Sequence, residues 1–164
     1  EIALKLKPIC KQYNVPLIIN DNVKLAKEID ADGVHLGQDD LDIKAAREYL
    51  GADKIIGVSA HNVKEALEAE NGGADYLGSG AAFVTSTKTD AGAIDHKVLS
   101  DVAHSVKIPV VAIGGINKDN ISQLEGLGLD GVAVVSAIFA ADDISSAVID
   151  LKAKAEKVAE SSVK

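Results

Sequence analysis

This chain lacks several features that would point to other classes of protein. Its 164 residues include one cysteine, Cys10, which excludes an intramolecular disulfide framework and predicts a reducing, cytoplasmic location. No apolar run approaches the ~20 residues of a transmembrane helix, and the first residues lack the features of a signal peptide. Methionine is absent and the chain begins at Glu1, so we expect further residues to precede it.

Basic charge is also scarce, because the net charge is −8. Nucleic acid and anionic membranes need a basic surface, so neither is expected as a main partner. The sequence contains no P-loop, no Gly-x-Gly-x-x-Gly motif, no Cys/His metal cluster and no Ser-His-Asp motif. A small phosphorylated ligand remains compatible with this composition, because a local cluster of donors can outweigh the overall charge.

The chain does contain an alternation of short β-branched runs with amphipathic stretches, which predicts βαβ units and a parallel sheet in one domain, residues 1–164. The predicted strands are Pro16–Asn20, Gly33–Leu36, Lys54–Ser59, Ala74–Ser79, Pro109–Ile113 and Gly131–Val135. The predicted helices are Ile2–Tyr13, Val23–Ile29, Leu41–Leu50, Val63–Asn71, His96–Val106, Asp119–Gly126 and Ile144–Glu160. A tail at about 158–164 is expected to fray, and Cys10 is expected to be a small buried side chain.

Polar or glycine residues follow nearly every predicted strand. They are Asn20-Asp21, Gly37 to Asp40, Ser59, Gly80, Gly114-Gly115 and Ser136. In a βα-barrel these ends converge on one mouth, whereas an open doubly wound sheet binds ligands at a switch point. The pattern therefore favours a TIM-type (β/α) barrel. A full barrel needs eight strands and typically ~250 residues, so we expect this chain to lack the first one to two βα units.

Several of these residues are candidates for binding. Strand alternation places His35 in the barrel interior, as either a structural or a functional residue. Asp21 and Asp40 at neighbouring strand ends can share Mg²⁺, although Asp21 and Asp39 could instead cap the following helices. The loops at Gly114-Gly115 and Val135-Ser136 can hold a phosphate through backbone N–H groups, or can be two tight turns.

The segment Thr85-Ser86-Thr87-Lys88-Thr89-Asp90 begins with three hydroxyls and an ammonium group in a row, beside the expected barrel mouth. Such a loop can bind a phosphate ester or can simply be a solvated surface loop. His61, His96 and His104 stand at or within predicted helices, and we expect them to be solvated.

These motifs together resemble the thiamine-phosphate synthase family over essentially the whole chain. The matching stretches are Pro16-Leu17-Ile18-Ile19-Asn20-Asp21, Asp32-Gly33-Val34-His35-Leu36-Gly37-Gln38 with Asp40, Ile56-Gly57-Val58-Ser59, Ala74-Asp75-Tyr76-Leu77-Gly78, Thr85-Ser86-Thr87-Lys88, Val111-Ala112-Ile113-Gly114-Gly115-Ile116 and Val134-Val135-Ser136-Ala137-Ile138. The resemblance implies an enzyme that couples hydroxymethylpyrimidine diphosphate with thiazole phosphate, using Mg²⁺, to give thiamine phosphate and diphosphate.

The resemblance also implies roles for individual residues. Asp21 and Asp40 would hold the metal, and Lys88 and Ser59 would be the catalytic side chains. Asn20 and Lys88 would contact the pyrimidine diphosphate, and Ser59 the pyrimidine. Thr85, Ser86 and Thr87 would lie between the substrates, with His35 also in the binding site. Gly115, Val135 and Ser136 would hold the thiazole phosphate.

Two departures from the family pattern bear on activity. The family carries a Gln-x-Arg-x-Lys segment on an early strand that this chain does not contain, and Ala81 and Val84 replace prolines near the Thr-Ser-Thr-Lys loop. A thiazole tautomerase-like enzyme on the same scaffold and a non-catalytic phosphate-binding barrel fragment are the alternatives. The expected partners are small molecules, and a homo-oligomer is left open.

Overall fold

The computed structural model describes residues 1–84 and 94–162. Its sheet contains β1 (Ile18–Asn20), β2 (Gly33–Leu36), β3 (Ile55–Ser59), β4 (Tyr76–Gly80), β5 (Val110–Ile113) and β6 (Gly131–Ala133). Neighbouring strands are all parallel, and the spatial order is the chain order, β1 to β6. A doubly wound sheet would change direction at a switch point, so this order confirms the barrel-type prediction.

Helices alternate with most of the strands, as in repeated βα units. They are α1 (Ile2–Gln12), α2 (Val23–Glu28), α3 (Ile43–Leu50), α4 (Val63–Gly72), α5 (His96–Ser105), α6 (Ser136–Phe139) and α7 (Ile144–Glu160). Side-chain oxygens of Asn22, Asp42, Asn62, Asp95 and Asp143 cap α2, α3, α4, α5 and α7 respectively. Each cap satisfies an N–H group that would otherwise lack a partner at a helix start.

The hydrophobic core lies between the sheet and these helices. Val34 and Leu36 on β2, Ile56 on β3 and Leu77 on β4 are at most 1% exposed. His35, between Val34 and Leu36, points to the other face of the sheet and is half-buried. The predicted division of β2 into helix-facing apolar residues and an interior histidine is therefore confirmed.

Some predicted elements differ from the structure. The Asp119–Gly126 helix is only a 3₁₀ helix at Ile121–Leu124, followed by left-handed Gly126 and Gly128, and Ser136 begins a short helix rather than following a longer strand. In the part of the expected frayed tail that the structure describes, α7 continues to Glu160 and Val158 is 1% exposed. Cys10 is partly exposed rather than buried. None of the helices in the described ranges is long and apolar enough to cross a membrane.

An aspartate recurs at the amino ends of the strands and links β1 with β2, β3 with β4 and β5 with β6. In each case the carboxylate accepts a hydrogen bond from a backbone N–H in the preceding strand or directly before it, and the same aspartate donates its own N–H to that residue's carbonyl. The pairs are Asp32 with Leu17, Asp75 with Ile56 and Asp130 with Val110, with carboxylate distances of 2.8, 2.7 and 2.8 Å. This two-point contact is the structural role of the repeated Ala-Asp-Gly-like turns.

We expect Asp75→Ala to lower the free energy of unfolding by about 1–3 kcal/mol, because it leaves the Ile56 N–H without an acceptor. Ile56 is fully buried, and Asp75 also binds Arg47 at 2.7 Å. Urea unfolding would measure the change, with the exposed Asp53→Ala as the matched control. Equal stability of the two variants would contradict this role.

Candidate active site

A cavity of about 240 Å³ lies at the carboxyl ends of the strands. All six strands contribute to its wall, through Asn20, His35, Ser59, Gly80, Ile113 and Ala133. The loops after β5 and β6 supply further walls, including Gly114, Gly115, Val135 and Ser136. This is the mouth at which barrel enzymes place their active sites.

Most of the described residues that the sequence predicted for binding line this cavity. Asn20, His35, Ser59, Gly115, Val135 and Ser136 all line it. Thr85, Ser86, Thr87 and Lys88 lie outside the described residues, between the described ends Val84 and Ile94. Asp21 and Asp40 do not line this cavity but follow β1 and β2 at the same end of the sheet.

Asp21 and Asp40 both form hydrogen bonds with backbone groups near the ends of β1 and β2. Asp21 is in the left-handed region at φ 61°, and its N–H donates to His35 O at 2.8 Å. Asp40 Oδ2 accepts the Gly37 N–H at 2.6 Å and faces a second cavity of about 200 Å³. Because Asn22 and Asp42 cap α2 and α3, neither Asp21 nor Asp39 serves as a helix cap.

The donor chemistry of this pair fits Mg²⁺, which prefers carboxylate oxygens and completes its coordination with water and substrate phosphates. Within residues 1–84 and 94–162 no group of three His, Cys, Asp or Glu side chains could hold a metal ion. A site built on Asp21 and Asp40 would therefore depend on substrate oxygens and water for its other ligands.

Ser59, His35 and Tyr76 form a hydrogen-bonded chain beside the cavity. His35 Nε2 lies 3.0 Å from Ser59 Oγ, and His35 Nδ1 lies 3.0 Å from Tyr76 Oη. Gln38 adds a bond from its Nε2 to the Ser59 carbonyl, at 2.5 Å. Burial raises the pKa of the Tyr76 phenol, which keeps this hydroxyl protonated.

The loop after β5 approaches the loop after β4 very closely. Gly114 and Gly115 have φ values of 99° and 66°, and a Cβ on Gly115 would lie 2.7 Å from the carbonyl oxygens of both Phe83 and Val84. The Phe83 N–H donates to Gly114 O at 3.0 Å, so the two loops are joined by their backbones. Positive φ and close approach both require glycine here.

The neighbouring part of the wall is formed by the start of α6. Val135 precedes the helix, and no side chain caps it within the described ranges. The first N–H groups of a helix lack intrahelical partners. The glycine loop and this helix start both line the same cavity, and backbone N–H groups of this kind can bind a phosphate.

His61 also lines the cavity, and its side chain is exposed, as the sequence analysis expected. Its Nδ1 lies 2.9 Å from Glu65 Oε2, and its backbone N–H donates to the same oxygen at 2.8 Å. Burial opposes ionisation of Glu65, but hydrogen bonds from His61 and Asn62 outweigh it and lower the pKa of Glu65. The sequence signal for His61 at the cavity was its position two residues after Ser59, just beyond the end of β3.

The described wall of the cavity carries little positive charge of its own. Among the described lining residues the titratable side chains are His35 and His61, and there is no lysine or arginine. An anionic ligand here must therefore be neutralised by backbone N–H groups, by a metal ion, or by cations outside the described residues.

The sequence matches the family described as thiamine monophosphate synthase over residues 1–138. The chain belongs to the thiamine monophosphate synthase family. Thiamine-phosphate synthase of Clostridium acetobutylicum is 56% identical over 144 residues, covering 88% of this chain and 68% of that protein. The enzyme of Methanobrevibacter smithii is 54% identical over 140 residues, covering 85% and 67%.

Solved structures agree with this assignment. Thiamine phosphate pyrophosphorylase from Pyrococcus furiosus superposes with a TM-score of 0.88 at 44% identity, covering 96% of this chain and 75% of that chain. 3-Hexulose-6-phosphate synthase, at 17% identity and a TM-score of 0.68, shares the fold alone. None of these matches favours the tautomerase or the non-catalytic module.

Proposed function

We propose that this chain joins hydroxymethylpyrimidine diphosphate to thiazole phosphate, with release of diphosphate. The observation that supports the proposal is that residues predicted for both half-sites line one cavity. Asn20 and Ser59 lie on the β1 and β3 side, and Gly115 and Ser136 lie on the β5 and β6 side. Two substrates bound in these positions would meet in the middle of the barrel mouth.

The thiazole phosphate would bind at the glycine loop and the α6 start. Its charge would be met by backbone N–H groups of Gly115, Val135 and Ser136, which suits a wall without lysine or arginine among its described residues. The phosphate would anchor the thiazole ring so that its nitrogen faces the pyrimidine substrate.

The pyrimidine diphosphate would bind on the other side. Ser59 would hold the pyrimidine, while Asn20 and Lys88 would contact the diphosphate. Asp21 and Asp40 would hold Mg²⁺, which neutralises charge on the departing diphosphate when it is bound. Thr85, Ser86 and Thr87 would lie between the two substrates.

The reaction needs positioning more than a protein base. The C–O bond to diphosphate breaks and its electron pair leaves with the diphosphate, giving a pyrimidinylmethyl cation that the ring amino group stabilises. The lone pair of the thiazole nitrogen then forms the new C–N bond. The protein would hold the reactants together, stabilise the leaving diphosphate through Lys88, and exclude water from the cation.

A cytoplasmic enzyme with small-molecule partners fits this reaction. Neither nucleic acid nor a membrane is a partner in this proposal.

The test is to incubate the protein with both substrates and Mg²⁺ and to measure thiamine phosphate and diphosphate. We expect equal amounts of the two products. Asp21→Asn should raise the Mg²⁺ concentration for half-maximal rate by about tenfold or more, since a charged oxygen ligand becomes neutral. Asp53→Asn, a substitution at an exposed position, is the control. Failure of the wild type to form thiamine phosphate would overturn the function, and an unchanged Mg²⁺ requirement would overturn the metal assignment.

A further inference from the structure

Two glycines on β3 and β4 make room for the rings of Tyr76 and His35. In the strand register, Gly57 lies between His35 on β2 and Tyr76 on β4. A Cβ on Gly57 would overlap the Tyr76 ring, and a Cβ on Gly78 would lie 3.1 Å from His35 Cε1. The two rings meet over the glycine position, with centroids 5.4 Å apart. The backbone therefore fixes this pair in place.

The hydrogen-bonded chain can run in two directions. If Tyr76 donates to His35 Nδ1, then His35 Nε2–H donates to Ser59 Oγ, and the Ser59 proton is available to a ligand. If His35 Nδ1–H donates to Tyr76, then Ser59 must donate to Nε2 and offers a ligand no proton. The two directions correspond to the two neutral tautomers of the imidazole.

The surroundings favour the first direction. Among residues 1–84 and 94–162, His35 is the hydrogen-bond partner of the Tyr76 hydroxyl. Were that hydroxyl the acceptor, its own proton would have no acceptor among the described residues and would depend on water at a half-buried position, which is less favourable than the bond to His35. In the first direction the remaining proton is on Ser59, which lines the cavity. Burial also keeps the Tyr76 phenol protonated by raising its pKa.

We propose that Tyr76 is a positioning residue, which fixes the Nε2–H tautomer of His35 and thereby makes Ser59 a hydrogen-bond donor to the pyrimidine substrate. The identity of the ligand in this inference rests on the proposed function. The tautomer of His35 does not depend on that function. Tyr76 acts through His35 and Ser59 and need not touch the substrate.

The tautomer is tested without substrate, from the ring ¹⁵N shifts of His35 in long-range ¹H–¹⁵N spectra, which distinguish the two tautomers and the imidazolium. We expect the Nε2–H form in the wild type and a gain of the Nδ1–H form in Tyr76→Phe, which keeps the ring over Gly57. Tyr49→Phe, which removes a hydroxyl on α3, should leave the His35 shifts unchanged. A His35 ring in the Nδ1–H form or as the imidazolium in the wild type, or identical shifts in Tyr76→Phe, would overturn the proposal.

A double-mutant cycle tests the action through Ser59. Tyr76→Phe should lower kcat/KM for the pyrimidine diphosphate about threefold to tenfold, the effect of one hydrogen bond. In a Ser59→Ala background the same change should have less than about a twofold effect, because the donor is already gone. Equal effects in both backgrounds would show a merely structural role. If the wild type made no thiamine phosphate, the proposed function would fail, and the tautomer measurement would still decide the hydrogen-bond direction.

Discussion

Lys88→Ala should lower the rate of thiamine phosphate formation about a hundredfold or more, the loss typical of removing a group that stabilises developing charge. Both substrates are phosphorylated, and the described cavity wall has no lysine or arginine. Lys88 is the cation of the Thr-Ser-Thr-Lys motif, in the segment between β4 and α5. Its loss would leave the departing diphosphate with Mg²⁺ as its main source of positive charge.

The measurement is steady-state product formation at saturating Mg²⁺, with Lys152→Ala as the control. Lys152 is 74% exposed on α7, where it pairs with Glu156 at 3.9 Å. We expect Lys152→Ala to match the wild type, and Lys88→Arg to recover part of the lost rate because it keeps the charge. Equal rates for Lys88→Ala and the wild type would remove Lys88 from the mechanism.

Gly115→Ala should both destabilise the protein and weaken the binding of thiazole phosphate. Alanine in the left-handed region costs about 1–2 kcal/mol. The added Cβ would also lie 2.7 Å from two carbonyl oxygens of the preceding loop. Moving either loop would displace the backbone donors that face the phosphate, and a displacement of about 1 Å can cost about a hundredfold in rate.

Gly126→Ala is the matched control, because Gly126 has a similar φ of 76° but nothing within 4 Å of its Cβ position. In this variant the free energy of unfolding should fall only by the conformational cost of about 1–2 kcal/mol, and the KM for thiazole phosphate should equal that of the wild type. Urea unfolding and substrate titration measure the two effects. Equal destabilisation of the two variants, with equal KM values, would contradict the close-packed arrangement around Gly115.

The sequence predicted the parts of the site that depend on strand ends alone. Asn20, Ser59 and Gly115 were identifiable because all carboxyl ends of a parallel barrel meet at one mouth. The inward position of His35 followed from strand alternation. The strand-end inference and the alternation inference both use local sequence, and an error of one or two residues in a strand boundary does not change them.

The missed features depend on register between strands or on competing local structure. The His35–Tyr76 contact joins residues 41 positions apart, and only the alignment of both with Gly57 reveals it. Residues 121–124 have apolar periodicity, but the glycines at 126 and 128 end the turn before a full helix forms. Asp21 and Asp39 were alternative candidates for helix caps, but Asn22 and Asp42 are the caps, because spacing alone does not choose between adjacent oxygens.

The central claim is that one cavity at the strand ends binds both halves of the product. A crystal structure of the protein with thiamine phosphate, diphosphate and Mg²⁺ tests it most directly. We expect the thiazole phosphate at the N–H groups of Gly115 and Ser136, the pyrimidine beside Ser59, and diphosphate on the side of Asn20 and Asp21. Product bound elsewhere, or with its phosphate away from Gly115 and Ser136, would contradict the account.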